Sequence, residues 1–352
     1  MDLDPHREQA RDPSRGRPRR LWPAVTEGRR RLGRVLQMAA ARVTAVVQRV
    51  RGRTAAGPAE RPAPALRRIP DESHAAGARR VAWRLSVVVA GLLTGASAVG
   101  LTWRGLYQDA PANAATFRAY DLGALALTVP VLAGALARAR RGSPRADLLW
   151  AGMLASVVYT YAYYVFGAAF NALFLVHVAV FVLAAVALGA LLAGLDVRAV
   201  AERFADRTPV RAVAAVLALL AGSLGAMWTY HSLRFAVTGA PPDEGLLLQP
   251  PPIGHLGYAM DLTTLVPAWA VAAVLLWRRR AWGYVLGAVL LVASAPVQLY
   301  YLLALRSQAT AGIPGATAFD PQEPPIAIAI VGAAAALLAG VRRPSSTPAV
   351  AA

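Results

Sequence analysis

The sequence predicts an all-α fold, a polytopic membrane bundle of about eight transmembrane helices, on three observations. Eight long apolar stretches run between Val81 and Val341. The basic residues fall almost entirely on one side of the membrane that those stretches imply, and tryptophans gather near their ends. A bilayer core of roughly 30 Å takes about 20 apolar residues per helix. In a chain of 352 residues that is 57% hydrophobic, the spans fall near 82–103, 120–137, 148–170, 172–194, 211–232, 259–277, 282–305 and 325–341.

Residues 1–80 precede the first span and carry 19 arginines, 8 acids and many prolines. Such a segment cannot bury enough apolar surface to offset its ordering entropy, so a mostly disordered cytoplasmic tail is expected. No apolar core follows the first basic residues, so no signal peptide is expected. Residues 29–53 differ: Leu32, Val35, Leu36, Ala39, Val43, Val46, Val47 and Val50 form one stripe at helical spacing. Arg31, Arg34, Arg42 and Arg49 lie mostly off it, the pattern of an amphipathic helix resting on anionic lipid headgroups. Residues 344–352 are expected to form a short disordered C-terminal tail.

All 37 basic residues are arginine, and the formal net charge is +18. In a soluble protein that balance would point to nucleic acid. Here the positive-inside rule accounts for it, and no nucleic-acid partner is expected. Cytoplasmic connections are read at Arg138–Asp147, Asp196–Arg211 and Arg278–Arg280. The outer segments hold only Arg104, Arg118, Arg234 and Arg306 against seven acids. The reading is therefore a multi-pass protein of the plasma membrane with both termini in the cytoplasm. Trp83, Trp103, Trp150, Trp228, Trp277 and Trp282 fall near span ends, where indole rings prefer to sit, and Trp269 is mid-span.

The two halves resemble each other. Asp121 and Asp261 open the second and sixth spans, each followed by leucine at the fourth position and arginine at the seventeenth, Arg138 and Arg278. Each span holds a proline, Pro130 or Pro267, and a tryptophan opens the next. A four-plus-four parallel duplication fits, a design known among transporters.

Polar residues within the spans gather in the outer layer. The candidate ligand-binding residues are Asp121, Tyr159, Tyr164, Asn171, His177 and Asp261. Thr160, Tyr164, Gly167 and Asn171 follow i, i+4, i+7, i+11 and would share one small, polar helix face. His177 stands out because ionisable groups inside spans tend to face the bundle interior and mark function. Plainer readings stand beside these: aspartates as N-caps, tyrosines as an aromatic belt, and a structural histidine. Pro130, Pro267 and Pro296 could free backbone carbonyls near the same layer.

The absence of cysteine excludes thiolate chemistry. His177, His231 and His255 have no metal-ligand spacing, and no P-loop, dinucleotide fingerprint or nucleophile elbow occurs, so no metal or cofactor is expected. The proline-rich excursion 233–258 reads as a stiff outer loop.

Asp121–Pro130, Arg140-Arg141-Gly142-Ser143, and Tyr159-Thr160-Tyr161 through Asn171-Ala172-Leu173-Phe174 together resemble uncharacterised multi-pass membrane proteins of actinobacteria. The Ala-, Gly-, Pro- and Arg-rich composition suits a GC-rich genome. The resemblance covers about a hundred residues and implies residence in a membrane; no catalytic residue comes with it. The favoured function is binding or transport of a small molecule or lipid through an outward-facing polar cavity. A non-catalytic scaffold or accessory subunit is the alternative, and an intramembrane lipid-modifying enzyme is the second.

Overall fold

A computed structural model describes residues 72–239, 249 and 253–342. The amphipathic stretch 29–53, residues 240–248 of the outer excursion and the tail 344–352 lie outside the described residues. The described chain is helical, its single extended feature being an isolated bridge between Phe204 and Val341. In order, α1 is Glu72–Thr102. Next, α2 joins Pro111–Gly123, a π-helical turn Ala124–Thr128 and Val129–Ala139. Then come α3 (Pro144–Phe166), α4 (Phe174–Ala193), the short α5 (Val197–Glu202) and α6 (Val210–Thr238). Another composite, α7, joins Ile253–Met260, a π turn Asp261–Leu265 and Val266–Trp277, ahead of α8 (Ala281–Thr310) and α9 (Glu323–Gly340). All except α5 are long and apolar enough to cross a membrane.

Local chemistry explains several boundaries. Ser143 caps α3 by accepting from the Ala146 N–H, with Pro144 in its first turn and Asp147 beside the positive end of the helix. Asp196 caps α5 through the N–H groups of Arg198 and Ala199, both at 3.0 Å. Gly239 ends α6 in the left-handed conformation that suits glycine.

Three sequence boundaries need correcting. First, α1 begins ten residues before position 82, because the Ala- and Arg-rich stretch ahead of the apolar run is itself a good helix former. Second, α2 begins at Pro111, so the connection ahead of it is short. Its polar first turns are buried against α8: Gln308 Nε2 donates to Ala112 O and Thr116 Oγ1, and Ser307 Oγ to Ala115 O. Third, α7 starts at Ile253. Asp121 and Asp261 are therefore interior helix residues and not N-caps.

The two prolines explain the π turns. Pro130 and Pro267 each follow a π turn by one residue, in a shared Val-Pro step. Proline offers no N–H to the carbonyl four residues back and crowds it, and one widened turn takes up the mismatch.

Large apolar side chains such as Leu175, Leu219, Val237 and Ile328 are more than 70% exposed, which suits lipid and would be costly in water. At the centre, 72% and 56% of the apolar windows of α3 and α8 are buried, against at most 39% for the other six. Gly152 lets these two approach: a Cβ there would overlap Val292 of α8 and meet the Val289 carbonyl at 3.0 Å.

The neighbour pattern repeats between halves. In the first, α1 packs on α2 and α4, and α3 on α2 and α4; in the second, α6 packs on α7 and α9, and α8 on α7 and α9. The interval from one π turn to the other also carries Val129-Pro130 onto Val266-Pro267 and Tyr163-Tyr164 onto Tyr300-Tyr301. On that interval Asp121 corresponds to Tyr258, and Asp261 to Ala124. The halves therefore resemble each other in a register about one helical turn away from the one that equates the aspartates.

At the arginine-rich end, Arg79 Nη2 donates to Asp147 Oδ1 (2.7 Å) and Ala139 O (2.8 Å). Trp150 is fully buried and donates to Ser86 Oγ at 2.8 Å, so it is an internal strut and not a member of the belt. Trp103, Trp277 and Trp282 are 45–55% exposed, as belt residues should be. Trp150→Phe is expected to cost about 1 kcal/mol for the lost bond, read as a lower midpoint in thermal unfolding of the detergent-solubilised protein.

Candidate functional site

The tyrosines of α3 divide by helical spacing into two sets, each facing one buried aspartate. Tyr161 and Tyr164 are three residues apart and stack on each other, with ring centroids 4.8 Å apart. They meet His177 of α4 at 5.8 and 4.8 Å. Tyr164 OH donates to Asp121 Oδ1 at 3.1 Å, and Tyr107 OH donates to Asp121 Oδ2 at 2.6 Å. Asp121 is 1% exposed. Gly100 of α1 lies against this carboxylate so closely that a Cβ there would overlap it.

On the other side, Tyr159 and Tyr163 are four residues apart with hydroxyls 3.3 Å from each other. Tyr159 OH donates to Asp261 Oδ1, and Trp228 Nε1 of α6 donates to Asp261 Oδ2 at 2.8 Å. Trp228, which reads as a belt residue from sequence, is thus a carboxylate ligand, its ring tilted 4.0 Å from that of Tyr258. Among the described residues neither aspartate forms an ion pair. Arg118, one turn before Asp121, contributes charge without a direct contact. Both carboxylates are therefore held by neutral donors, and α3 serves both.

Between the two sets, Tyr120 of α2 lies 5.5 Å from Tyr300 of α8, whose hydroxyl meets Thr128 Oγ1 at 2.6 Å. Thr128 closes the π turn of α2, so that turn is tied to the polar layer. Beneath it is a cavity of about 10 Å³ bordered by Ser156, Thr160, Tyr161 and Tyr164. It suits one water molecule and no organic solute. The tyrosine layer is closely packed here, where the sequence suggests an open cavity.

Four of the six expected residues fall into these two sets: Asp121 with Tyr164, and Asp261 with Tyr159. His177 joins the first through ring contacts, and its Nδ1 is buried without a partner. Asn171 does not join. The helix stops at Phe166 with Gly167 as its cap, so the expected face Thr160–Tyr164–Gly167–Asn171 does not continue to Asn171. Instead Asn171 Nδ2 donates to Ala169 O, and its Oδ1 accepts from the Leu173 N–H, folding the turn into α4. The same turn is closed by Asp109, whose Oδ1 accepts from the Ala169 N–H at 2.8 Å. Burial pushes the Asp109 carboxyl above the usual carboxylate range, and backbone donors partly offset it.

Tyr107 is missing from the sequence reading because it lies in a connection without periodicity. Burial, and next the charge of Asp121, raise its hydroxyl well above the usual phenol range, so it remains a donor. Phe117, stacked 5.3 Å from Tyr107 and tilted 4.8 Å from Tyr164, is missed because it lies in the polar first turns of α2, ahead of the apolar run. Among the described residues no three histidine or carboxylate side chains are placed to hold a metal ion. The chain matches no protein family, no curated protein and no solved structure.

Proposed function

We propose that this multi-pass membrane protein binds and carries a small polar solute, with Asp121 the residue that receives it. The observation that supports this most is a carboxylate buried within the spans, held by two tyrosine hydroxyls and in no ion pair among the described residues. Ionisable groups inside spans are costly, and those that persist commonly line solute or proton paths. The aromatic rings of Tyr107, Phe117, Tyr161 and Tyr164 around one carboxylate favour a cationic or proton-bearing solute. On this reading the packed outer layer is the closed form of the carrier, and the π turns beside both aspartates are where helices yield.

We place the arginine-rich end in the cytoplasm of a cell whose plasma membrane holds the protein, with both termini on that side. A second reading, a non-catalytic scaffold, draws support from the close packing, since a cavity of about 10 Å³ admits no solute in this form.

Reconstituted proteoliposomes on a solid-supported membrane discriminate between the two. Amines, amino acids, sugars and carboxylic acids are applied in turn, with pH steps, and charge displacement is recorded. The carrier reading expects a transient for at least one class in the wild type and its loss in Asp121→Asn. A wild type silent to the whole panel and to pH steps, with Asp121→Asn altering only thermal stability, supports the scaffold.

A further inference from the structure

The arginine-rich end of the bundle holds a second polar feature, remote in character from the tyrosine layer. A cleft of about 220 Å³ opens between the first turns of α1 and the end of α2, lined by Arg79, Arg80, Arg84, Arg140, Trp83 and Trp150. Four guanidinium groups meet there, and the one carboxylate paired with them among the described residues is Asp147, on Arg79. Arg80, Arg84 and Arg140 have no carboxylate partner among the described residues.

Two of the arginines are held in place. Arg79 is fixed by Asp147 and Ala139 O and lies 5.8 Å from the Trp150 ring centroid. Arg140 stacks at 4.7 Å over Trp83, whose indole N–H is buried with no acceptor. Collecting like charges is unfavourable without an anion, and planar guanidinium groups match phosphate oxygens well.

We propose that this cleft binds the phosphodiester headgroup of an anionic phospholipid whose acyl chain lies along α1. The choice of a lipid over a soluble phosphate comes from the helix itself. Arg80, Arg84, Val87 and Val88 follow i, i+4, i+7, i+8 and so share a face. Val87 and Val88 are 43% and 48% exposed. A charged pole thus runs directly into a bare apolar track, as a headgroup runs into its chain. Basic clefts between helices at the cytoplasmic boundary are suited to anionic headgroups. The leaflet assigned to this end rests on the orientation proposed above, whereas the binding itself does not depend on carriage at Asp121.

Native mass spectrometry of the full chain in neutral detergent tests it, with dioleoyl phosphatidylglycerol and dioleoyl phosphatidylcholine titrated separately. The wild type is expected to retain one phosphatidylglycerol about tenfold more tightly than phosphatidylcholine, and Arg80→Gln/Arg84→Gln/Arg140→Gln to lose that preference. A control with the same charge change at exposed arginines of the same end, Arg198→Gln/Arg207→Gln/Arg278→Gln, is expected to keep it. Should the triple variant not fold, Arg80→Gln and Arg84→Gln singly carry the comparison, each weakening retention a few-fold. Equal retention of both lipids, or equal loss in the control, overturns the site. Displacement of the lipid by millimolar inorganic phosphate reassigns the cleft to a soluble phosphate and overturns the lipid.

Discussion

Gly152→Leu is expected to separate α3 from α8 and to give the largest loss of stability of any single change considered. The position faces Val292 and the Val289 carbonyl, and a Cβ alone already overlaps the valine. Val292 is 3% exposed and the carbonyl belongs to helix backbone, so neither can yield without moving α8. Overpacking of this kind costs on the order of 3 kcal/mol when the backbone must shift. Because α3 and α8 are the most buried spans, the loss should spread through both halves. Fluorescence-detected size-exclusion chromatography after a heating series reads it directly. A melting temperature within a degree of wild type would mean that the two helices can part cheaply, and the central packing described above would be wrong. Gly222→Leu is the control, since a Cβ at Gly222 meets nothing within 4 Å.

Asp121→Leu comes next, and its comparison with Asp121→Asn separates polarity from charge. The aspartate accepts from Tyr107 and Tyr164 in a layer where both phenols are buried. Leucine has a similar reach and no acceptor. Tyr164 can fall back on Phe117 O at 3.1 Å, whereas Tyr107 is left with only the neighbouring Tyr164 hydroxyl. Losing buried hydrogen bonds to a carboxylate costs roughly 1–3 kcal/mol, so Asp121→Leu should lose about that much. Asparagine keeps a carbonyl oxygen toward one tyrosine and should lose about 1 kcal/mol less. Thermal unfolding in one detergent ranks wild type, Asn and Leu in that order. If Leu equals wild type, the tyrosines find other acceptors and the carboxylate is not their anchor. The doubly substituted Tyr107→Phe/Asp121→Leu should recover part of the loss, because the hydroxyl deprived of its carboxylate is gone.

Much of the fold is legible in the sequence because a bilayer leaves few options. Apolar runs of helix length have to be helices there, since each backbone group must bond within its own segment. All eight spans follow from that rule. The helix ends were harder to read. Hydropathy sees the apolar middle of a helix and is blind to turns such as 111–119, where Asn113 and Thr116 are buried by α8 and not by lipid.

The candidate site divides in the same way. Helical spacing within α3 alone separates Tyr161 and Tyr164 from Tyr159 and Tyr163, and the structure gives each set its own aspartate. Asn171 fails because spacing presumes that the helix continues, whereas Gly167 and the side chain of Asn171 stop it. Tyr107 could not be found by periodicity, since it reaches Asp121 from a loop. Register between the halves differs from the leucine and arginine spacing for another reason. Matching leucines and arginines are common in any span, whereas a Val-Pro step beneath a π turn is a rarer and more informative mark.

A π turn is an α-helix with one residue too many, and this one recurs at the same place in both halves. On the interval that relates the two π turns, α3 corresponds to α8, so the two most buried helices meet as equivalents. The halves differ at the acidic positions. Asp121 corresponds to a tyrosine in the other half and Asp261 to an alanine, so neither carboxylate is a duplicate of the other. A symmetric pair of halves would present two identical sites; these present two different ones, each served by the same tyrosine-bearing helix.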